Sequence, residues 1–302
     1  MLLFSGSSNV DLAQKVAEKL KIQLGKVDLN RFSDGEIRPW IADNVRDQTV
    51  FVLQSFSQPM NDHIMEFILM GDAIRRGAPR RMIGIIPYFG YARQDKQHRI
   101  GEPVSARVVA KFVEVVPYNE VITVDLHNDA IVGFFRIPVI HRSALPILAH
   151  AIPTLIEGEG VVVSPDVGGV RRARNMAYQL DMKLVVMEKR RQLDKHDESE
   201  AFQIIGDVSG KTAILIDDII STGGTIVHSA QALKEAGAKK IIVCASHGVF
   251  SGDAIKRLND SCVDAILVSD SIVPHKPLLP KFQQVSIDQL LAESIQIING
   301  EG

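Results

Sequence analysis

Short apolar runs alternate along the chain with longer amphipathic stretches. The runs are Val50–Leu53, Met82–Ile86, Val121–Val124, Val161–Val163, Leu184–Met187, Ala213–Ile216 and Ile241–Ala245. Their hydrophobicity is nearly continuous, which marks strands covered on both faces. Strands of that kind separated by helices build parallel sheets. The stretches between them read as helices. In Thr225–Ala236 the residues Ile226, Ala230 and Leu233 fall on one helical face, and Gly237 follows as a terminator. In Asn61–Arg76 the residues Ile64, Ile68 and Ala73 recur at roughly helical spacing before Gly77. A last amphipathic stretch, Ile287–Ile298, predicts a helix.

The pattern predicts an α/β protein. No tandem repeat interrupts it. Pro138, Pro146 and Pro153 punctuate the chain near its middle, so two halves are expected, 1–142 and 143–287. The helix over about 288–302 is expected to return to the first half. The length of 302 residues agrees with two domains at roughly 100–200 residues each.

Composition narrows the function. The net charge is −2, which excludes a general nucleic-acid binder, because such proteins carry a basic surplus. The two cysteines, Cys244 and Cys262, have no metal-type spacing, and fit a reducing compartment. The first residues lack a basic region followed by a long apolar one. No apolar run approaches the roughly 20 residues that span a bilayer. A cytoplasmic protein with no membrane partner is expected.

Polar clusters follow several predicted strands. Val121–Val124 runs into Asp125-Leu126-His127, Val161–Val163 into Ser164-Pro165-Asp166, and Ala213–Ile216 into Asp217-Asp218. Ligands of open α/β sheets bind beyond the carboxyl ends of strands, so acids there could hold a divalent cation or sugar hydroxyls. A single acid of this kind is as often a cap or turn residue. Three clusters in equivalent places are harder to dismiss.

The strongest signal is Asp217-Asp218-Ile219-Ile220-Ser221-Thr222-Gly223-Gly224-Thr225. Two acids lead into a loop rich in glycine and hydroxyls, and then a helix. Gly223 and Gly224 permit close approach of an anion. The helix N-terminus favours phosphate, and Asp217 and Asp218 can accept from a diol. Together they describe a ribose phosphate site. Gly210-Lys211-Thr212 resembles the end of a P-loop, but Ile205 stands where its first glycine should be, and the triplet precedes a strand. Nucleotide, if bound, is held in another way.

Other segments are less specific. Pro87–Lys96 is aromatic and then polar. Its Arg93 and Lys96 could meet phosphates and its Gln94 a base or ribose, or it could be a solvated loop. Lys189-Arg190-Arg191 ends another strand; its cations suit the charge on transferred phosphoryl groups, or a surface loop. Phe32-Ser33-Asp34-Gly35-Glu36 reads as a hairpin turn, with an aromatic ring and two acids that could contact a base. His127 is a plausible metal ligand or proton-transfer group; the other histidines show no ligand spacing.

In combination these motifs resemble the ribose-phosphate diphosphokinase family, also called phosphoribosyl diphosphate synthetases. They are Arg31–Glu36, Pro87–Lys96, Val124–His127, Ser164–Gly169, Lys189–Arg191 and Asp217–Thr225. The last alone would also fit a phosphoribosyltransferase. The resemblance covers about residues 3–295. It implies two phosphoribosyltransferase-like domains, each a mainly parallel sheet flanked by helices. It implies transfer of the β,γ-diphosphoryl group of MgATP to ribose 5-phosphate, in homodimers or homohexamers. Phe32, Asp34 and Glu36 would contact adenine in a neighbouring subunit's site, and Arg93 and Gln94 would bind ATP. His127 and Asp166 would be the Mg²⁺-linked positions. Lys189 and Arg191 would lie on a flexible catalytic loop. Asp217 and Asp218 would hold the ribose hydroxyls, with Ser221, Thr222, Gly223, Gly224 and Thr225 around the 5-phosphate. Ser221 departs from the pattern, replacing an acid usual at that place. A catalytically silent regulatory homologue is the remaining alternative; the presence of Lys189 and Arg191 argues against it.

Overall fold

The computed structural model describes residues 1–190 and 201–300. The chain divides into two compact units, one of residues 1–143, 270–273 and 286 onward, the other of residues 144–269 and 274–285.

The first unit holds β1 (Leu2–Ser5), α1 (Val10–Leu20), β2 (Val27–Arg31), β3 (Ile37–Ile41), β4 (Thr49–Leu53) and α2 (Met60–Arg76). It continues with β5 (Arg81–Ile86), α3 (Ser105–Val113), β6 (Glu120–Val124) and β7 (Val139–Arg142). Its main sheet has the order β1-β4-β5-β6-β7, with every pair parallel. Strand β4 is buried at each residue, and β5 and β6 are buried beyond their first. This burial is what the continuous apolar runs foretold. Helix α1 starts at Asn9, whose side chain accepts from the Leu12 N–H at 3.2 Å, and it buries Leu12, Ala13, Val16, Ala17 and Leu20. The core gathers Phe4, Phe56, Phe67, Phe89 and Tyr118, with Phe67 stacked on Tyr118 at 4.8 Å. Strands β2 and β3 form a separate antiparallel ribbon.

The second unit holds α4 (Leu145–Ala151), β8 (Gly160–Ser164), α5 (Val170–Leu180), β9 (Lys183–Arg190), β10 (Ala201–Ile205), β11 (Thr212–Ile220) and α6 (Gly224–Glu235). It ends with β12 (Lys240–Gly248), α7 (Ala254–Asn259), β13 (Ala265–Ser269) and β14 (Phe282–Val285). The sheet runs β10-β9-β8-β11-β12-β13-β14 and is parallel apart from the β10–β9 pair. Helix α6 buries Ile226, Ala230 and Leu233, the face read from the sequence, and is followed by Gly237 at φ 89°. The chain closes with α8 (Asp288–Asn299), which belongs to the first unit and packs on α1.

Two expectations about local structure change. Asp217 and Asp218 lie inside β11, not beyond its end. Pairing with β12 continues to Ile220↔Gly248, whereas pairing with β8 stops at Leu215↔Val163. The acids therefore sit where β11 is paired on one side after β8 has left the other. Lys189 was expected on a loop. Its backbone is in β9, opposite Phe202, because β10 doubles back and extends the ladder to Arg190↔Ala201. Arg191 lies outside the described residues. Among the described residues, no helix is long and apolar enough to cross a membrane.

Candidate active site

In the second unit, the loop Ser221–Gly223 joins β11 to α6. Gly223 takes the left-handed conformation, φ 76°, which a glycine adopts without steric cost. A side chain there would also reach Leu258, whose Cγ lies 3.0 Å from an ideal Cβ. No side chain caps α6, and the first N–H groups of a helix have no carbonyl of their own. The loop is fixed from the far side. Arg257 Nη1 donates to the Thr222 carbonyl at 3.1 Å, and the Ser251 N–H donates to the Ser221 carbonyl at 3.0 Å. The Ser221 and Ser251 hydroxyls are 3.4 Å apart. Thr222 and Thr225 are exposed. A hydrogen-bonded turn with an uncapped helix and exposed threonines is chemistry for a phosphate.

Next to the loop stand the two acids. The Asp218 N–H donates to Asp217 Oδ1 at 2.8 Å. Arg172 Nη1, from α5, lies 3.5 Å from Asp217 Oδ1 and 3.4 Å from Asp218 Oδ1. The Asp218 side chain is 4% exposed and that of Asp217 25%. Burial, then the hydrogen bond and charge of Asp218, push the Asp217 carboxyl up to about 8; the Asp218 N–H and Arg172 pull the other way. The pair thus presents acceptors, with burial and Asp218 favouring the protonated form of Asp217, which suits recognition of a diol. Asp166 is exposed, and its Oδ1 accepts from the Gly169 N–H at 2.8 Å, fixing the turn into α5.

Arg172 was not singled out by sequence. A signal existed: Arg171, Arg172 and Arg174 crowd the first turns of α5, where the helix dipole disfavours cations. An anion nearby offsets that cost, and for Arg172 it is supplied by Asp217 and Asp218.

In the first unit, two loops at the carboxyl ends of β5 and β6 are tied together. After β5, Tyr88, Phe89 and Ala92 are buried, with Phe89 against Phe56 and Phe135. The aromatic half of this segment is thus anchor, and the exposed Arg93, Gln94 and Lys96 form its outer half. Gln94 Oε1 accepts from the Ser105 hydroxyl at 2.6 Å. Asn128 Nδ2 donates to Asp95 Oδ2 at 2.7 Å, joining this loop to the one that carries His127.

The hairpin residues Phe32, Asp34 and Glu36 are exposed. The turn is closed by Phe32 N–H to the Glu36 carbonyl at 2.9 Å, with Gly35 at φ 95°. The Arg38 guanidinium lies over the Phe32 ring at 5.3 Å. Consecutive residues of α2 hold both segments: Asp62 pairs with Arg31 at 2.9 Å, and Asn61 accepts from the Tyr91 hydroxyl at 2.7 Å. Among the described residues, no three His, Cys, Asp or Glu gather as a metal cage.

The comparisons span both units. Residues 1–116 match the N-terminal domain of ribose phosphate pyrophosphokinase, and residues 195–302 the phosphoribosyl synthetase-associated domain. The chain is 44% identical to a ribose-phosphate pyrophosphokinase of Fusobacterium nucleatum, over 98% of this chain and 94% of that protein. It is 44% identical to the Thermotoga maritima ribose-phosphate pyrophosphokinase, over 99% and 95%. The crystal structure of phosphoribosylpyrophosphate synthetase from Mycobacterium smegmatis superposes with a TM-score of 0.91 at 37% identity, covering 100% of this chain and 99% of that one. With similarity of this extent running through both sheets and both loop systems, the chain belongs to the ribose-phosphate pyrophosphokinase family.

Proposed function

We propose that the chain transfers the β,γ-diphosphoryl group of MgATP to the anomeric hydroxyl of ribose 5-phosphate, giving 5-phosphoribosyl 1-diphosphate and AMP. The observation that carries the reading is the Asp217–Thr225 segment: a buried, arginine-compensated acid pair running into an uncapped helix N-terminus. The 5-phosphate binds the N–H groups and hydroxyls of Ser221–Thr225, and the ribose hydroxyls bind Asp217 and Asp218. Ser221 offers a hydroxyl where the family usually has a charge, leaving the phosphate end of the loop less negative.

Arg93 and Gln94 serve the nucleotide, and Phe32, Asp34 and Glu36 the adenine of a neighbouring subunit in a homodimer or homohexamer. Their exposure in the single chain is consistent with that use. His127 and Asp166 are the Mg²⁺-linked positions. The lack of a three-ligand cluster among the described residues fits Mg²⁺, which keeps waters and takes substrate phosphates in place of a protein cage. When bound, Mg²⁺ withdraws charge from the phosphate oxygens. The protein's own share is alignment and charge: Lys189 and Arg191 neutralise the diphosphoryl group in transit. The composition supports a cytoplasmic site of action.

The test is incubation of the pure chain with ATP, ribose 5-phosphate and Mg²⁺. AMP and 5-phosphoribosyl 1-diphosphate should appear together. Consumption of 5-phosphoribosyl 1-diphosphate in the presence of a free base, with no AMP formed from ATP, would identify a phosphoribosyltransferase instead.

A further inference from the structure

The loop after β6 carries an uncommon backbone. Asp125 has φ 36°, in the left-handed region that costs energy for a residue with a side chain, although aspartate tolerates it better than most. Something must hold it there. Strand β7 and the residue after it supply three consecutive contacts. The His141 Nε2 accepts from the Leu126 N–H at 2.9 Å, the Arg142 carbonyl accepts from the Asp125 N–H at 2.9 Å, and the Ser143 hydroxyl donates to Asp125 Oδ1 at 2.8 Å.

The first contact fixes the chemistry of His141. An imidazole nitrogen that accepts an N–H must present a lone pair, so the ring proton of neutral His141 resides on Nδ1. That edge faces Asp129 Oδ1 at 3.6 Å. The carboxylate favours the tautomer in which Nδ1 is protonated and Nε2 is free to accept. His141 is therefore held between a carboxylate on one side and a backbone amide on the other, with Leu126 next to His127.

We infer that His141 is a positioning residue, which locks the turn bearing His127 through the Leu126 amide and thereby prepares the nucleotide side of the site. The inference rests on the reading of His127 given above. The chain places the lock at β7 because this strand pairs with β6 through Val124↔Arg142, so the next residues of both strands remain side by side where the loop begins. A methyl group or an obligate donor at position 141 would leave the Leu126 N–H without its acceptor and let Asp125 relax.

The test uses the full chain with histidines labelled by ¹⁵N. In the wild type one ring, identified by its loss in His141→Gln, should show a protonated Nδ1 and an unprotonated Nε2. In His141→Ala, exchange of the Leu126 amide with solvent should quicken by about 10-fold, the scale of one lost hydrogen bond. The KM for MgATP should rise by a similar factor, while the KM for ribose 5-phosphate, a control for folding, stays within twofold. His141→Gln, whose amide oxygen can still accept, should recover most of both effects. A ring protonated at Nε2, or Leu126 exchange unchanged in His141→Ala, overturns the inference. So does faster exchange with an unchanged KM for MgATP, provided His127→Ala is impaired. Full activity in His127→Ala removes His127 from the mechanism instead; the labelled ring and the Leu126 amide then still decide whether His141 holds the turn.

Discussion

The guanidinium of Arg172 lies 3.4 Å from the carboxylate of Asp218, a side chain almost without solvent. A buried charge of this kind is tolerable only with its partner. Arg172→Ala removes the cation that lies 3.5 Å from Asp217 Oδ1 and 3.4 Å from Asp218 Oδ1. It should cost on the order of 2–4 kcal/mol of stability and raise the KM for ribose 5-phosphate, with Arg172→Lys intermediate. Urea denaturation and initial rates measure the two effects. Unchanged stability in Arg172→Ala would show that the pair is hydrated or shares its proton so fully that the cation is unneeded.

A second prediction concerns pH. The Asp217 carboxyl, ordinarily near 3.8, is pushed up to about 8 in the folded protein. Between these values the folded state holds a proton that the unfolded state has released. This contribution to stability is complete below about pH 4 and is lost as the pH rises through about 8. Asp217→Asn should remove it. The urea midpoint of the wild type should therefore fall more than that of the variant between about pH 5 and about pH 9. Parallel curves would show that Asp217 ionises normally.

Gly223 is the third case. Alanine there meets both a left-handed backbone and the Leu258 side chain. The variant should lose about 1–3 kcal/mol and bind ribose 5-phosphate several-fold more weakly, because the helix N-terminus must shift. Gly210→Ala shares the positive φ but has open space around its Cβ and should leave substrate binding unchanged. Thermal denaturation and inorganic phosphate binding by calorimetry separate the two.

For Lys189→Ala, turnover should fall roughly 100-fold to 1,000-fold with little change in ribose 5-phosphate binding, since a charge that acts on the moving group contributes in the transition state. Single-turnover AMP release measures it. A wild-type rate would exclude Lys189 from the chemistry.

How much of this was legible depended on burial. Strands β4, β5, β6, β8, β11 and β12 were visible because the sheets cover both their faces, leaving runs without polar interruption; β9 was visible from the unbroken apolar run Leu184–Met187, although Leu184 and Val186 are only half-buried. Of the ribbon β2–β3, the hairpin turn Phe32–Glu36 was legible but the two strands flanking it were not. The ribbon alternates half-buried and exposed residues, and Pro39 sits inside it, a residue that central strands avoid. Strand β7 is half-buried throughout, so its role in holding the His127 turn left no hydrophobic trace. The glycine-rich loop was legible since its chemistry is local. The Arg172 contact was not, because it joins α5 to β11 and depends on which face of the helix meets the sheet.

One feature of the chain's course bears on its synthesis. The body built on β1 and α1 is not closed by its first 143 residues; it takes residues 270–273 and the final helix as well. Arg81 donates to the Ile298 carbonyl at 3.3 Å, and the Ser55 hydroxyl to the Ser271 carbonyl at 2.5 Å. On the ribosome, the amino-terminal body must wait, with α1 not yet covered by α8, until Asp288–Asn299 has been made. No single cut in the gene can release it intact.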